Sequence, residues 1–176
     1  MLIKNIHRLC LLVFIALLSV GLTGCKSSKG THRGSGKKKV QVESVHVGKI
    51  SKEQSKIVQE AKSWLGTPYR YGACEKGEGS DCSGMVLKVY EKVTGIKLPR
   101  NSAKQAEFCR KLKVKDVEVG DLAFFATGKD PDKISHVGIM INDKEFIHAS
   151  TKKGVVISDI TTPYYERTFI MFGRPE

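Results

Sequence analysis

The chain has 176 residues, a length typical of a single domain. Hydrophobic residues make up 40% and charged residues 27%, an ordinary balance for a soluble globular protein that excludes a membrane-embedded body and an intrinsically disordered chain. The formal net charge is +12, but no stretch matches a nucleic-acid-binding module, so no nucleic-acid partner is expected.

Residues 1–24 are predicted to be a secretion signal that is removed from the mature protein. Lys4 and Arg8 precede an apolar run from Leu9 to Val20, and small residues follow the run. The run is too short to span a membrane as a helix.

The signal ends in Leu22-Thr23-Gly24-Cys25, which resembles the bacterial lipobox. The resemblance implies cleavage before Cys25 and attachment of acyl chains to it. Each buried methylene contributes about 0.8 kcal/mol, so two or three chains would hold the protein at a bilayer. A plain signal peptide followed by an incidental cysteine is the alternative.

Residues 25–47 are predicted to form a flexible linker between this anchor and a catalytic domain at 48–176. The stretch 26–40 contains Ser, Gly and Thr and no acidic residue, and such self-repelling sequences are typical of tethers. Binding to anionic lipid or to a wall polymer is the alternative to a solvated linker. Its basic residues are Lys26, Lys29, Arg33, Lys37, Lys38 and Lys39.

The cysteines indicate a reactive thiol. Cys10 leaves with the signal and Cys25 takes the lipid, so the domain retains Cys74, Cys82 and Cys109. An odd number in an oxidising compartment leaves at least one thiol free. A Cys74–Cys109 disulfide remains open. No pair has zinc-knuckle spacing, so no metal or other cofactor is expected.

Three helices are predicted in the first half of the domain. The first covers 51–65, with Ser51 as N-cap and Gly66 as terminator, and the second begins at Asp81 or Cys82 and ends before Gly95. A third covers 102–112, and the glycine-rich segment 69–80 is predicted to be a loop.

Five strands are predicted in the second half. The segments 121–127, 137–141, 144–149, 155–159 and 168–172 are rich in Val, Ile and Phe and are separated by turn residues. Helices followed by strands indicate an α+β domain, with an antiparallel sheet and helices packed on one side of it.

Cys82 lies at the predicted start of the second helix. The unpaired amides and the dipole of a helix N-terminus favour a thiolate, and such positions lower a cysteine pKa from about 8.5 toward neutrality. A small buried cysteine in a first helical turn is the alternative interpretation.

Two histidines lie on consecutive predicted strands. His136 and His148 are symmetric about Asn142, so an odd-length turn centred there would place them opposite each other, about 5 Å apart at Cβ. A slip of one residue would put them on opposite faces. A cysteine at a helix start and two histidines on one hairpin face form a nucleophile, base and orienter arrangement.

Six motifs together resemble the NlpC/P60 family of cell-wall cysteine peptidases, from about Ser51 to the C-terminus. They are WLGTPYRYG at 64–72, DCSG at 81–84, LPRNS at 98–102, VGDL at 119–122, HVGI at 136–139 and FIHA at 146–149. The chain is most similar to single-domain lipoprotein murein endopeptidases of Gram-negative envelopes. The resemblance implies a papain-like α+β fold.

The resemblance also implies roles at the site. Cys82 corresponds to the nucleophile, His136 to the base and His148 to the orienting residue. Tyr69 corresponds to a tyrosine of the cleft and its oxyanion environment.

Substrate recognition is implied at two further positions. In members specialised for a free L-Ala amine, the positions of Asp81 and Ser83 bind that amine. Asp81 acting only as a helix cap is the alternative. No chemistry is assigned to Arg100, and the charged loop 73–80 departs from the family pattern.

The expected activity is hydrolysis of amide bonds in peptidoglycan stem peptides or cross-links through a thioester intermediate. The bond could be the γ-D-glutamyl bond to the diamino acid or the D-Ala cross-link. The expected protein is a monomer held by Cys25 at the periplasmic face of a Gram-negative membrane. A non-hydrolytic wall-binding lipoprotein and an acyl or amide transferase on the same fold are the alternatives.

Overall fold

A computed structural model of the protein describes residues 49–176. The predicted signal peptide, Cys25 and the linker up to residue 47 lie outside the described residues. Within 49–176, no helix is both long and apolar enough to cross a membrane.

Helix α1 (Lys52–Lys62) begins at the predicted N-cap. The Ser51 hydroxyl accepts a hydrogen bond from the Gln54 amide at 3.1 Å, and the Gln54 side chain accepts one from the Ser51 amide at 2.8 Å. This capping box satisfies two amides that have no partner within the helix. The helix ends three residues before the predicted boundary.

Helix α2 (Cys82–Thr94) has the predicted boundaries. The Asp81 carboxylate caps it by accepting from the Gly84 amide at 2.8 Å, and Gly95 ends it in the left-handed conformation with φ of 78°. Its buried face packs on the sheet through Met85, Val86, Val89 and Tyr90.

Helix α3 (Ser102–Phe108) is shorter than predicted. Asn101 caps it, accepting from the Lys104 amide at 2.9 Å. The prediction that the helix continues to residue 112 is wrong, because Arg110–Leu112 pairs with the last strand of the sheet. Tertiary pairing overrides the helical pattern there.

One antiparallel sheet of six strands confirms the predicted α+β architecture. The spatial order is β3-β8-β4-β5-β6-β7, and every neighbouring pair is antiparallel. The strands are β3 (Arg110–Leu112), β4 (Leu122–Phe125), β5 (His136–Met140), β6 (Glu145–Ser150), β7 (Gly154–Asp159) and β8 (Phe169–Arg174).

Some short elements were not predicted. The expected loop at 69–80 contains a hairpin of two-residue strands, β1 (Cys74–Glu75) and β2 (Gly79–Ser80). A 3₁₀ turn (Val114–Asp116) and a short helix α4 (Pro163–Thr168) complete the domain. Elements this short have no detectable hydrophobic period.

Both faces of the sheet are buried. One face contributes Phe124, Val137 and Ile139 to a core that it shares with α1 and α2. The other contributes Phe125 and Phe146 to a second cluster, against which Tyr165 of α4 packs. The expectation of helices on one side of the sheet is therefore incomplete, since α4 covers part of the opposite face.

Candidate active site

Cys82 is the first residue of α2, and only 8% of its surface is exposed. Burial raises the pKa of its thiol to about 11, although the backbone amides of Val137, Ser83 and Cys82 itself act to lower it. The sequence-based expectation of a lowered pKa is wrong, because desolvation of the thiolate outweighs the helix amides. The thiol rests protonated.

His136 and His148 lie close together, as expected. His136 Nε2 is 2.9 Å from His148 Nδ1, and the ring centroids are 4.9 Å apart. The hydrogen bond uses Nε2 of His136 and leaves its Nδ1 as the nitrogen available to other groups.

The register of this hairpin differs from the predicted one. Ile139 pairs with Ile147 and Met140 with Phe146, so the turn is centred on residue 143 and not on 142. His148 therefore lies opposite Gly138, and the two imidazoles meet on a diagonal. The prediction that both histidines lie on one face of the sheet is right. The observed pairing moves each partner by two residues, and side chains two residues apart on a strand point to the same face.

Gly138 allows β6 to pack closely against β5 beside His148. A Cβ atom at position 138 would lie 2.5 Å from the Phe146 ring, 2.8 Å from the Ile147 carbonyl oxygen and 3.0 Å from His148 Cβ. No side chain fits there without moving the Phe146 ring and the Ile147 carbonyl group. This contact accounts for the glycine in the HVGI motif.

Both imidazoles are buried against aromatic rings. Burial lowers the pKa of His136 to about 4 and that of His148 to about 3, and proximity of His136 adds to the second shift. Phe146 stacks on His148 with centroids 4.7 Å apart, and Phe125 lies 6.0 Å from His136. Both histidines are therefore neutral near pH 7.

The other nitrogen of His148 has partners that the sequence analysis missed. His148 Nε2 is 2.9 Å from Ser158 Oγ and 3.1 Å from Tyr165 Oη. The contact of Ser158 can be predicted once the β6–β7 pairing is known, because Ser158 lies on the same face of β7 as Val156, the residue opposite His148. The contact of Tyr165 cannot, because it depends on where α4 packs.

Asp81 and Ser83 lie beside Cys82, and Arg100 joins them. Asp81 accepts two hydrogen bonds from the Arg100 guanidinium, both at 2.8 Å, and one from each of the Gly72 and Gly84 amides, also at 2.8 Å. Burial raises the pKa of Asp81, but Arg100 and these amides outweigh it and hold that pKa below the ordinary value.

The guanidinium of Arg100 connects three segments. It also donates to Ser83 Oγ at 3.1 Å and to the Ala73 carbonyl at 3.1 Å. Arg100, to which the sequence analysis assigned no chemistry, therefore neutralises the carboxylate next to Cys82.

Tyr69 approaches the same region through a backbone bridge to Ser80. Burial raises the pKa of its phenol, and the neighbouring Cys82 and Asp81 raise it further. The structure thus brings Tyr69, Asp81 and Ser83 close to Cys82.

The remaining thiols form no disulfide. Cys74 is half-buried, Cys109 is buried, and both are free, so the Cys74–Cys109 pairing is absent. In the described range 49–176, no cluster of three or more His, Cys, Asp or Glu side chains could hold a metal ion.

The sequence profile of the NlpC/P60 family matches residues 66–174. The chain belongs to the NlpC/P60 family. All six motifs that carried the resemblance overlap or lie within the matched segment.

Two relatives of Escherichia coli are similar to this chain. Over 162 residues the chain is 34% identical to a protein of Escherichia coli K12 named probable endopeptidase NlpC, covering 92% of this chain and 96% of that protein. Over 116 residues it is 35% identical to murein DD-endopeptidase MepS/murein LD-carboxypeptidase of the same strain, covering 66% of this chain and 60% of that protein.

The solved structures agree with the fold. The NlpC/P60 domain of the peptidoglycan hydrolase SagA matches with a TM-score of 0.59 at 28% identity, covering 69% of this chain and 97% of that chain. The predicted family and the papain-like α+β fold are therefore confirmed.

Proposed function

We propose that the protein is a cysteine endopeptidase that hydrolyses amide bonds in peptidoglycan through a thioester on Cys82. The observation that carries the proposal is the hydrogen-bonded, buried pair of His136 and His148, together with the hydrogen bond that joins Cys82, at the start of α2, to the backbone of Val137 next to His136. The names of the relatives, which include endopeptidases and a peptidoglycan hydrolase, support this substrate.

The acylation step begins from a neutral thiol and a neutral imidazole. As the Cys82 sulfur bonds to the amide carbonyl carbon, its proton passes to His136. Amides at the start of α2 stabilise the oxyanion, and Tyr69 borders that position. The C–N bond then breaks, and His136 delivers the proton to the leaving amine.

Deacylation reverses the roles. His136, neutral again, takes a proton from water while the water oxygen bonds to the thioester carbon. The C–S bond breaks, and the proton returns to sulfur. His148 accepts from the Nε2–H of His136 and stabilises the transient imidazolium.

The substrate subsite next to the nucleophile is bordered by Tyr69 and Ser83, with Asp81 behind them. Because Arg100 already pairs with both oxygens of Asp81, a second cation gains little from that carboxylate. We therefore propose that Asp81 holds the start of α2 in place, and that stems without a free amine are accepted.

The cellular setting belongs to the same proposal. Acyl chains on Cys25 would hold a monomer at the periplasmic face of the envelope, and the basic linker would allow the domain to reach the wall.

Digestion of purified wall sacculi by the full chain tests the activity. Mass spectrometry of the released fragments should show products that have gained one water, and their sequence identifies the bond that is cut. Cys82→Ala is the matched control and should release nothing. A new ester or amide in the products would indicate a transferase, and wall binding without products would indicate a binding lipoprotein.

A further inference from the structure

Two hydroxyl groups face the nitrogen of His148 that points away from His136. Ser158 Oγ lies 2.9 Å and Tyr165 Oη 3.1 Å from His148 Nε2. The β6–β7 register places Val156 opposite His148 and Ser158 two residues further along the same face. Helix α4 brings Tyr165 to the same atom. A strand and a helix outside the catalytic motifs thus converge on one imidazole.

We propose that Ser158 and Tyr165 are positioning residues that keep the proton of neutral His148 on Nε2. The proposal rests on the proposed function, in which Cys82 is the nucleophile and His136 the base. The two hydroxyls touch neither substrate nor the reacting atoms, so they act through His148.

The location of this proton decides whether His136 can act as a base. His136 Nε2 shares one hydrogen bond with His148 Nδ1. If His148 carries its proton on Nδ1, it donates to His136 Nε2, and the proton of neutral His136 must then occupy Nδ1. That tautomer cannot accept the thiol proton. If His148 carries its proton on Nε2, His136 Nδ1 is free to accept.

The hydroxyl pair favours the active arrangement. Each hydroxyl oxygen has lone pairs, so Ser158 Oγ at 2.9 Å or Tyr165 Oη at 3.1 Å can accept a hydrogen bond from the N–H at His148 Nε2. With these acceptors in place, donation runs from His136 through His148 to the two hydroxyls.

Burial makes these acceptors necessary. His148 is 1% exposed, and Phe146 stacks on its ring at a centroid distance of 4.7 Å. An N–H without a partner in such surroundings is costly, whereas one remaining hydroxyl still satisfies it. Loss of one hydroxyl should therefore matter little, and loss of both should matter more than the two single losses combined.

The test compares Ser158→Ala, Tyr165→Phe and the double variant in the full chain, with defined muropeptides as substrate. We expect each single variant to lose less than about 5-fold in kcat and the double variant about 10- to 100-fold, with KM unchanged. Ser158→Thr should retain activity because it keeps the hydroxyl. Tyr164→Phe is the control, since this neighbouring tyrosine is 47% exposed.

Nitrogen-15 NMR of the imidazoles supplies the second measurement. Wild-type His148 should be protonated on Nε2, and the double variant should shift toward Nδ1. The proposal is overturned if the double variant keeps wild-type kcat, if its tautomer is unchanged, or if Ser158→Thr fails to preserve activity in a folded protein. Hydrolysis by Cys82→Ala would overturn the proposed function instead.

Discussion

Replacing Arg100 with alanine should destabilise the domain through the carboxylate that it leaves behind. The Asp81 side chain is 8% exposed and loses two charge-assisted hydrogen bonds of 2.8 Å. Removing one partner of a fully buried ion pair costs about 3–5 kcal/mol. Because the Arg100 side chain is 41% exposed, water replaces part of the interaction, and we expect a loss of about 1–3 kcal/mol.

The loss should depend on pH in a defined direction. The pKa of Asp81 is lower in the folded protein than in the unfolded chain, so its ionised form stabilises the fold above the unfolded pKa of about 3.9. That contribution disappears as the pH falls through the folded pKa. The difference between wild type and Arg100→Ala should therefore be largest at neutral pH and shrink below about pH 4.

Urea unfolding can measure both effects. Trp64 is the single tryptophan and is buried in the core, so its fluorescence reports global unfolding. Arg100→Lys should lie between alanine and wild type, because lysine retains the charge without the bidentate geometry.

Arg110→Ala is the matched control for this measurement. The Arg110 side chain is 50% exposed and that of its partner Glu176 is 58% exposed. The loss in unfolding free energy should therefore stay below about 1 kcal/mol. Equal losses for Arg100→Ala and Arg110→Ala, or a loss for Arg100→Ala that persists unchanged at pH 3, would refute the reasoning.

Three further outcomes are expected. With a thiol pKa of about 11, about one Cys82 thiol in 10,000 is ionised at pH 7, so iodoacetamide should alkylate it slowly near neutrality and faster as the pH rises; rapid alkylation at pH 6 would instead show a preformed thiolate. Gly138→Ala should cost about 1–3 kcal/mol in urea unfolding and reduce kcat more than 10-fold, because the new methyl group collides with the Ile147 carbonyl and with the Phe146 ring that stacks on His148; wild-type values for both would contradict the packing argument. Cys25→Ala should release the protein from membranes and leave muropeptide hydrolysis unchanged; retention of that variant in the membrane fraction after a high-salt wash would exclude the lipid anchor.

The amino-acid sequence by itself determined the features that depend on neighbouring residues. Asp81 and Gly95 mark the ends of α2 because a cap bonds to an amide three residues away and a left-handed terminator needs no partner elsewhere. The shared face of His136 and His148 also followed from local alternation, since it survives a shift of two in the strand pairing.

Tertiary structure alone decided which distant groups complete the site. Arg100 is 19 residues from Asp81, and no local period links the two. Ser158 and Tyr165 reach His148 only after β7 has paired and α4 has docked. The pKa of Cys82 also depends on tertiary structure. The position of Cys82 in the sequence predicts the helix amides that lower this pKa, but the burial that raises it arises only when the core packs around the sulfur. Burial has the larger effect.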